Sequence, residues 1–183
     1  AVTVIGIDVM PDKIDALLRK GIEGIQADLN ERFPADDGSI DILVASQVIE
    51  HVNDTDFFVK EMYRVLRTGG YAIIATPNLA ALYNIGFLML GKQPPVTSVS
   101  DIVGAVGNWD QALVGTYGEY VFPRHRRVFT WGSFVGLLEH YGFKCEKKAA
   151  SGFPPFPWFA ADLACRLLPM YAWNMIVRAR KPA

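Results

Sequence analysis

Apolar and polar positions change period repeatedly along the first half of the chain, which predicts strands alternating with helices rather than an all-helical or all-strand domain. AVTVIGIDVM is an almost unbroken apolar run, so Val2 to Val9 reads as a buried strand with one carboxylate, Asp8, near its tip. PDKIDALLRKG then reads as a short amphipathic helix: Pro11 suits a first turn, Asp12 its positive end, Ile14, Leu17 and Leu18 share a face, and Gly21 stops it. Ile22 to Leu29 returns to strand character and places a second carboxylate, Asp28, at a second tip. After the loop chemistry of PADDGS, Ile40 to Ala45 is a fully buried strand that turns polar at Ser46 and Gln47. DTDFFVKEMYRVLRTGG puts Phe57, Phe58, Met62, Val65 and Leu66 on one helical stripe, with Asn53 or Asp54 as cap and Gly69-Gly70 as the expected C-terminus. YAIIATPN is another buried strand, ended by Pro77.

The rhythm breaks between residues 79 and 123, a stretch rich in glycine that carries Pro94-Pro95 and the aromatics Tyr83, Trp109, Tyr117 and Tyr120. Within a single domain spanning 1–183 it reads as an insertion over one end of a sheet, a lid or substrate cap with Tyr83 as a substrate contact. Regular structure resumes at FTWGSFVGLLEHYGF, a helix capped by Thr130, lined by Phe134, Leu137 and Leu138, and closed by Gly142. FKCEKKAAS and WNMIVRARK read as two last strands, joined by the proline-rich aromatic SGFPPFPWFAADLACRLLPMY.

Composition narrows this α/β reading. With 51% hydrophobic residues, 183 residues suffice for one sizeable core. Eighteen basic against 19 acidic residues leave no global charge that would recruit nucleic acid. No stretch is long and apolar enough to span a bilayer, which leaves peripheral membrane contact open through Phe153 to Val177. Cys145 and Cys165 lack metal-ligand spacing, and no secretory signal is evident, so a reducing cytoplasm is expected. The three histidines, His51, His125 and His140, lie far apart in sequence, so no metal site is expected.

In an open parallel sheet ligands sit beyond the carboxyl ends of the strands. A carboxylate there can accept both hydroxyls of a ribose, and one at the next strand can receive an adenine amine, so Asp8 and Asp28 together describe an adenosine pocket. Taken singly, each is equally a turn-forming aspartate.

The pieces VIGIDVMPDKI, QADLNERFPADDGSIDILVASQVIEHV, FVKEMYRVLRTGGYAIIATPN and RHRRVFTWGSFVGLLEHYGF come in the order and spacing of a known family. The chain resembles the class I S-adenosylmethionine-dependent methyltransferases, in particular the group that includes quinone-biosynthesis and small-molecule enzymes. The resemblance implies a Rossmann-like, doubly wound sheet, mostly parallel with an antiparallel C-terminal strand, and S-adenosyl-L-methionine as cofactor. It implies that Asp8 holds the ribose hydroxyls with Val9 and Met10 flanking the adenine, that Asp28 and Leu29 meet the adenine edge, that Ser46 and Gln47 lie under the methionine portion, and that His51 faces the acceptor. Members begin with a strand running into a glycine-rich turn, placed in the sheet between the strands corresponding to Val2–Val9 and Ile40–Ala45, and nothing precedes Ala1. The expectation is therefore a C-terminal part of a longer polypeptide, direct pairing of the flanking strands, or a strand from a partner chain.

Methyl transfer from a sulfonium is an in-line displacement, so the protein chiefly aligns the reactants and excludes water. For a hydroxyl acceptor His51 is the candidate base, with Glu50 beside it as a structural partner or a substrate contact. Arg124, His125 and Arg127, in the RHRR run, are candidate contacts to an anionic acceptor, their alternative being a solvated face. The aromatic segments suit an apolar small-molecule acceptor. Competing readings are a degenerate methyltransferase fold retained as a binding module and a nicotinamide-dependent oxidoreductase, the latter lacking a Tyr-x-x-x-Lys pair. The oligomeric state is not legible in the sequence.

Overall fold

A computed structural model describes residues 2–99 and 125–183. Strand β1 (Ile5–Asp8), helix α1 (Pro11–Arg19) and strand β2 (Glu23–Gln26) form a parallel unit, with Ile5 opposite Glu23 and Asp8 opposite Gln26. Strand β3 (Ile40–Ser46), helix α2 (Thr55–Val65) and strand β4 (Leu66–Pro77) form a second parallel unit. Helix α3 (Leu82–Met89) follows, and after the stretch 100–124 come helix α4 (Trp131–His140), strand β5 (Lys144–Ser151), helix α5 (Trp158–Leu167), a single turn of 3₁₀ helix (Pro169–Tyr171) and strand β6 (Asn174–Arg180). The larger sheet runs β3-β4-β6-β5, with β6 antiparallel to both neighbours. The α/β class and the antiparallel final strand are thus as expected. Among the described residues β1 pairs only with β2 and β3 only with β4 within the sheets, so the flanking strands do not close on each other directly.

One face of the larger sheet holds the core. Ala72, Ile74 and Thr76 of β4 lie opposite Ala179, Val177 and Met175 of β6, and all six are buried. Phe58, Val59, Met62 and Val65 of α2 and Phe134, Val135 and Leu138 of α4 complete the same cluster. On β3 the alternation puts Ile42 and Val44 on the other face, where they are 50% and 66% exposed. A smaller cluster of Phe153, Ala161, Cys165 and Ala172 seats α5 against β5 through Ala150.

Helix starts follow their sequence signals. Pro11 opens α1, the Asp54 carboxylate accepts from the Phe57 amide at 2.9 Å, and Thr130 and Ser133 form a reciprocal cap on α4. The expected end of the second helix at Gly69-Gly70 is corrected: α2 stops at Val65, and Leu66 already has extended dihedrals and opens β4. The ammonium of Lys181 donates to the carbonyls of Tyr63 and Leu66 at 2.7 and 2.8 Å, supplying from a side chain what a glycine cap supplies from the backbone. The two glycines serve β4 instead. Gly69 has φ +78°, and a Cβ on Gly70 would lie 2.9 Å from the carbonyl oxygens of both Arg67 and Asp41. The first two strands are also shorter than their apolar runs, which leaves Asp28 two residues past β2.

Candidate active site

The expected nucleoside residues sit at carboxyl ends of parallel strands. Asp8 closes β1, and its Oδ1 accepts the Met10 amide at 2.9 Å, a local turn that aims the chain into α1. Met10 is thereby the N-cap of α1, and Val9 stands 58% exposed beside the carboxylate. On the neighbouring strand the Ala27 amide donates to the Asp8 carbonyl at 3.2 Å, and the Gln26 side-chain amide donates to the Val9 carbonyl, also at 3.2 Å. Asp28 and Leu29 follow directly. Asp28 Oδ1 accepts both the backbone and the side-chain N–H of Asn30 at 2.8 Å, while Asn30 Oδ1 accepts the Asn53 amide at 2.7 Å. The loop after β2 is so tied to the loop before α2, and Leu29 packs against the main core. In these bonds both aspartates use Oδ1.

At the end of β3 Ser46 is exposed, and Gln47 takes φ +57°, the one non-glycine residue with positive φ among those described. A left-handed glutamine costs of order 1–3 kcal/mol and persists where surroundings hold it, here with its backbone N–H donating to the Ala75 carbonyl at 2.9 Å. The kink turns the chain out of the sheet and into Val48–His51.

There Glu50 is fully buried. Its Oε2 accepts the Thr76 hydroxyl at 3.0 Å, whereas Oε1 has no hydrogen-bond partner. His51 Nε2 lies 4.0 Å from that Oε1, and its side chain is 26% exposed. The segment before α4 closes over this corner: the amides of Arg126 and Arg127 donate to the Glu50 carbonyl at 2.7 and 3.3 Å, and the His125 ring sits 5.0 Å from the His51 ring. Two histidines far apart in sequence thus meet. Arg127 itself is exposed and its guanidinium donates to the Arg126 carbonyl. Arg124 lies outside the described residues. Sequence reasoning misses the pairing of Glu50 with Thr76 because it depends on β4 lying beside β3, although the acid next to His51 in the Ile-Glu-His step was a visible sign.

Tyr83 lies on α3. Its ring packs against Trp173 at 5.4 Å and Phe87 at 6.4 Å, and burial pushes its hydroxyl up to about 12, so it stays neutral. Asn78 anchors this region: its side-chain amide donates to the carbonyls of Met170 and Ala172, and its own carbonyl accepts from Asn84.

Comparison with known proteins adds to this geometry. Residues 1–74 match a family model described as a methyltransferase domain. A probable S-adenosylmethionine-dependent methyltransferase of Mycobacterium tuberculosis is 47% identical over 57 residues, 31% of this chain and 20% of that protein. The mitochondrial ubiquinone biosynthesis O-methyltransferase of Rattus norvegicus is 33% identical over 169 residues, 84% of this chain and 41% of that protein. Among solved structures, a SAM-dependent methyltransferase from Thermotoga maritima, described as a possible histamine N-methyltransferase, superposes with a TM-score of 0.64 at 16% identity, over 97% of this chain and 72% of that one. At that identity the likeness shows the fold alone. The chain spans 18% to 41% of the length of the curated relatives it matches.

Proposed function

We propose that the chain is a class I S-adenosylmethionine-dependent methyltransferase and serves methyl transfer from S-adenosyl-L-methionine to a small-molecule acceptor by in-line displacement, a reading supported by the matches to a methyltransferase domain model and to a ubiquinone biosynthesis O-methyltransferase. The observation that carries this reading is the pair of carboxylates, Asp8 and Asp28, at the same end of two neighbouring parallel strands.

The residues there fit a nucleoside. An ionised carboxylate only accepts hydrogen bonds, and the hydroxyls of a ribose offer two donors, so Asp8 would hold them through the oxygen not engaged by Met10. Val9, exposed and apolar next to it, gives a flat base a surface to rest on, with Met10 on the other flank. Asp28 and Leu29 would meet the adenine edge. Ser46 and Gln47 would face the methionine portion across the turn that the left-handed glutamine creates. When bound, the sulfonium supplies an electrophilic methyl carbon. Toward a hydroxyl acceptor His51 would take the proton on its imidazole, and the Glu50 carboxylate, 4.0 Å away and shielded from water, would stabilise the imidazolium that forms.

On the acceptor side Arg127 and His125 would receive an anionic group, and Tyr83, with its neighbours Phe87 and Trp173, an apolar one. Trp158, Phe159, Leu163 and Leu167 form an exposed apolar stripe on α5, which supports peripheral contact with lipid where an apolar acceptor is drawn from a membrane. No described helix is long and apolar enough to cross one.

Calorimetric titration tests the cofactor assignment. S-adenosylhomocysteine should bind with one-to-one stoichiometry and NAD should give no heat. Binding of NAD alone would return the chain to the oxidoreductase reading, and heat from neither would leave a non-catalytic binding module.

A further inference from the structure

Two loops at the carboxyl ends of the strands meet through one side chain, Asn30. Its backbone and side-chain N–H groups both donate to Asp28 Oδ1, each at 2.8 Å, and its own Oδ1 accepts the backbone N–H of Asn53 at 2.7 Å. Asn53 stands between Val52, which is buried, and Asp54, whose carboxylate caps α2. The orientation of the Asn30 amide follows from its partners: an ionised carboxylate only accepts and a backbone N–H only donates, so Nδ2 faces Asp28 and Oδ1 faces Asn53. An aspartate here would lack the donor, and an alanine would lack both groups.

The consequence falls on the Asp28 carboxylate. It is exposed in a loop two residues past β2, where an unrestrained carboxylate rotates about its side-chain torsions and offers either oxygen to the solvent. The Glu31 amide donates to the Asp28 carbonyl at 3.0 Å and closes a turn that carries Asn30 back onto the carboxylate. With both Asn30 N–H groups on Oδ1, the oxygen left for an outside donor is Oδ2.

We propose that Asn30 is a positioning residue for adenine recognition. By engaging Asp28 Oδ1 it reserves Oδ2 for the exocyclic amine, and by accepting from Asn53 it fixes that carboxylate relative to the turn that carries His51. The inference rests on the nucleoside reading of the strand ends and assigns the residue that makes Asp28 selective. Adenine carries an amine where hypoxanthine carries a carbonyl. A carboxylate oxygen accepts from the first and repels the second, so discrimination between the two bases depends on how firmly Asp28 is held.

The test measures, by calorimetry on the full chain, the affinities of S-adenosylhomocysteine and of its deaminated analogue S-inosylhomocysteine. The proteins compared are the unsubstituted chain, Asn30→Ala and Asn30→Asp, with thermal unfolding showing each variant folded. The unsubstituted chain should prefer the adenine ligand about tenfold or more. Asn30→Ala keeps the backbone bond to Asp28 and should lower that preference several-fold. Asn30→Asp sets a second carboxylate against Asp28 and should lower it further. A role confined to fastening the loops gives the reverse order, since an aspartate still accepts the Asn53 amide and an alanine does not. A preference intact in both variants, or lost more in Asn30→Ala than in Asn30→Asp, would overturn the inference and leave the nucleoside site standing. Equal binding of both ligands by the unsubstituted chain would overturn it together with the assignment of Asp28 to the base. Binding of neither would overturn the nucleoside site itself and the role of Asn30 with it. Should one variant fail to fold, the preference measured in the other decides.

Discussion

Single residues set the chemistry of the candidate site, and one ion network shows how such groups couple to pH. Glu61 is buried on α2, where its Oε2 accepts from the Phe33 amide at 2.8 Å and from Arg64 at 2.7 Å. The Arg64 guanidinium beside it holds its carboxyl below the ordinary 4.5, and Arg64 also reaches Asp37 and the carbonyls of Phe33 and Ala35. Because the folded value is depressed, the unfolded chain binds the proton more readily. The stabilisation is therefore fully present above about 4.5 and is lost as pH falls through the lowered folded value. Arg64→Met should cost roughly 3 kcal/mol near neutrality, since it leaves Glu61 without its buried partner, and should flatten the acid limb of the stability curve. Urea unfolding from pH 7 down to 3 checks this; an acid limb as steep as that of the unsubstituted chain would refute it.

Between elements, Asn78 fastens the end of β4 to the 3₁₀ turn and to α3. Its side-chain N–H groups serve the Met170 and Ala172 carbonyls at 2.8 and 2.9 Å, and its Oδ1 accepts from Ala80 at 3.0 Å. Asn78→Asp keeps the shape but removes both donors, so it should destabilise the fold by about 2–3 kcal/mol, measured as a lowered denaturant midpoint with unchanged m. An unchanged midpoint would mean that water replaces the asparagine at no cost. The elements themselves were legible where local chemistry decides them: Pro11, Asp54 and Thr130 announce helix starts, and the apolar stripe names Phe58, Met62, Val65 and Leu66 of the core, though it misses Val59 and includes Phe57, which is only half-buried. The end of α2 was not, because its cap is Lys181, more than a hundred residues away, and no local pattern encodes a distant ammonium. Leu18 misleads for a similar reason. It shares the apolar side of α1 but stands 56% exposed, since among the described residues α1 has only the two-stranded β1-β2 sheet to cover.

At the scale of the molecule, two parallel units and an antiparallel β6 agree with the mixed α/β architecture that the family resemblance implies. Asp8, Ser46 and Gln47 were legible as strand-end residues because apolar runs mark where strands stop, whereas the run Ile22 to Leu29 overshoots β2 and leaves Asp28 in the loop beyond it. The meeting of His51 and His125 was hidden, since it depends on the segment before α4 docking its backbone onto the Glu50 carbonyl. Binding of a nucleoside at the strand ends is tested most directly by the affinity of S-adenosylhomocysteine for the chain and for its Asp8→Ala variant, measured side by side by calorimetry. Loss of a charge-assisted bond to the ribose should weaken binding about tenfold or more, with thermal unfolding showing the variant folded. Equal affinity for the two proteins would contradict a nucleoside held at Asp8.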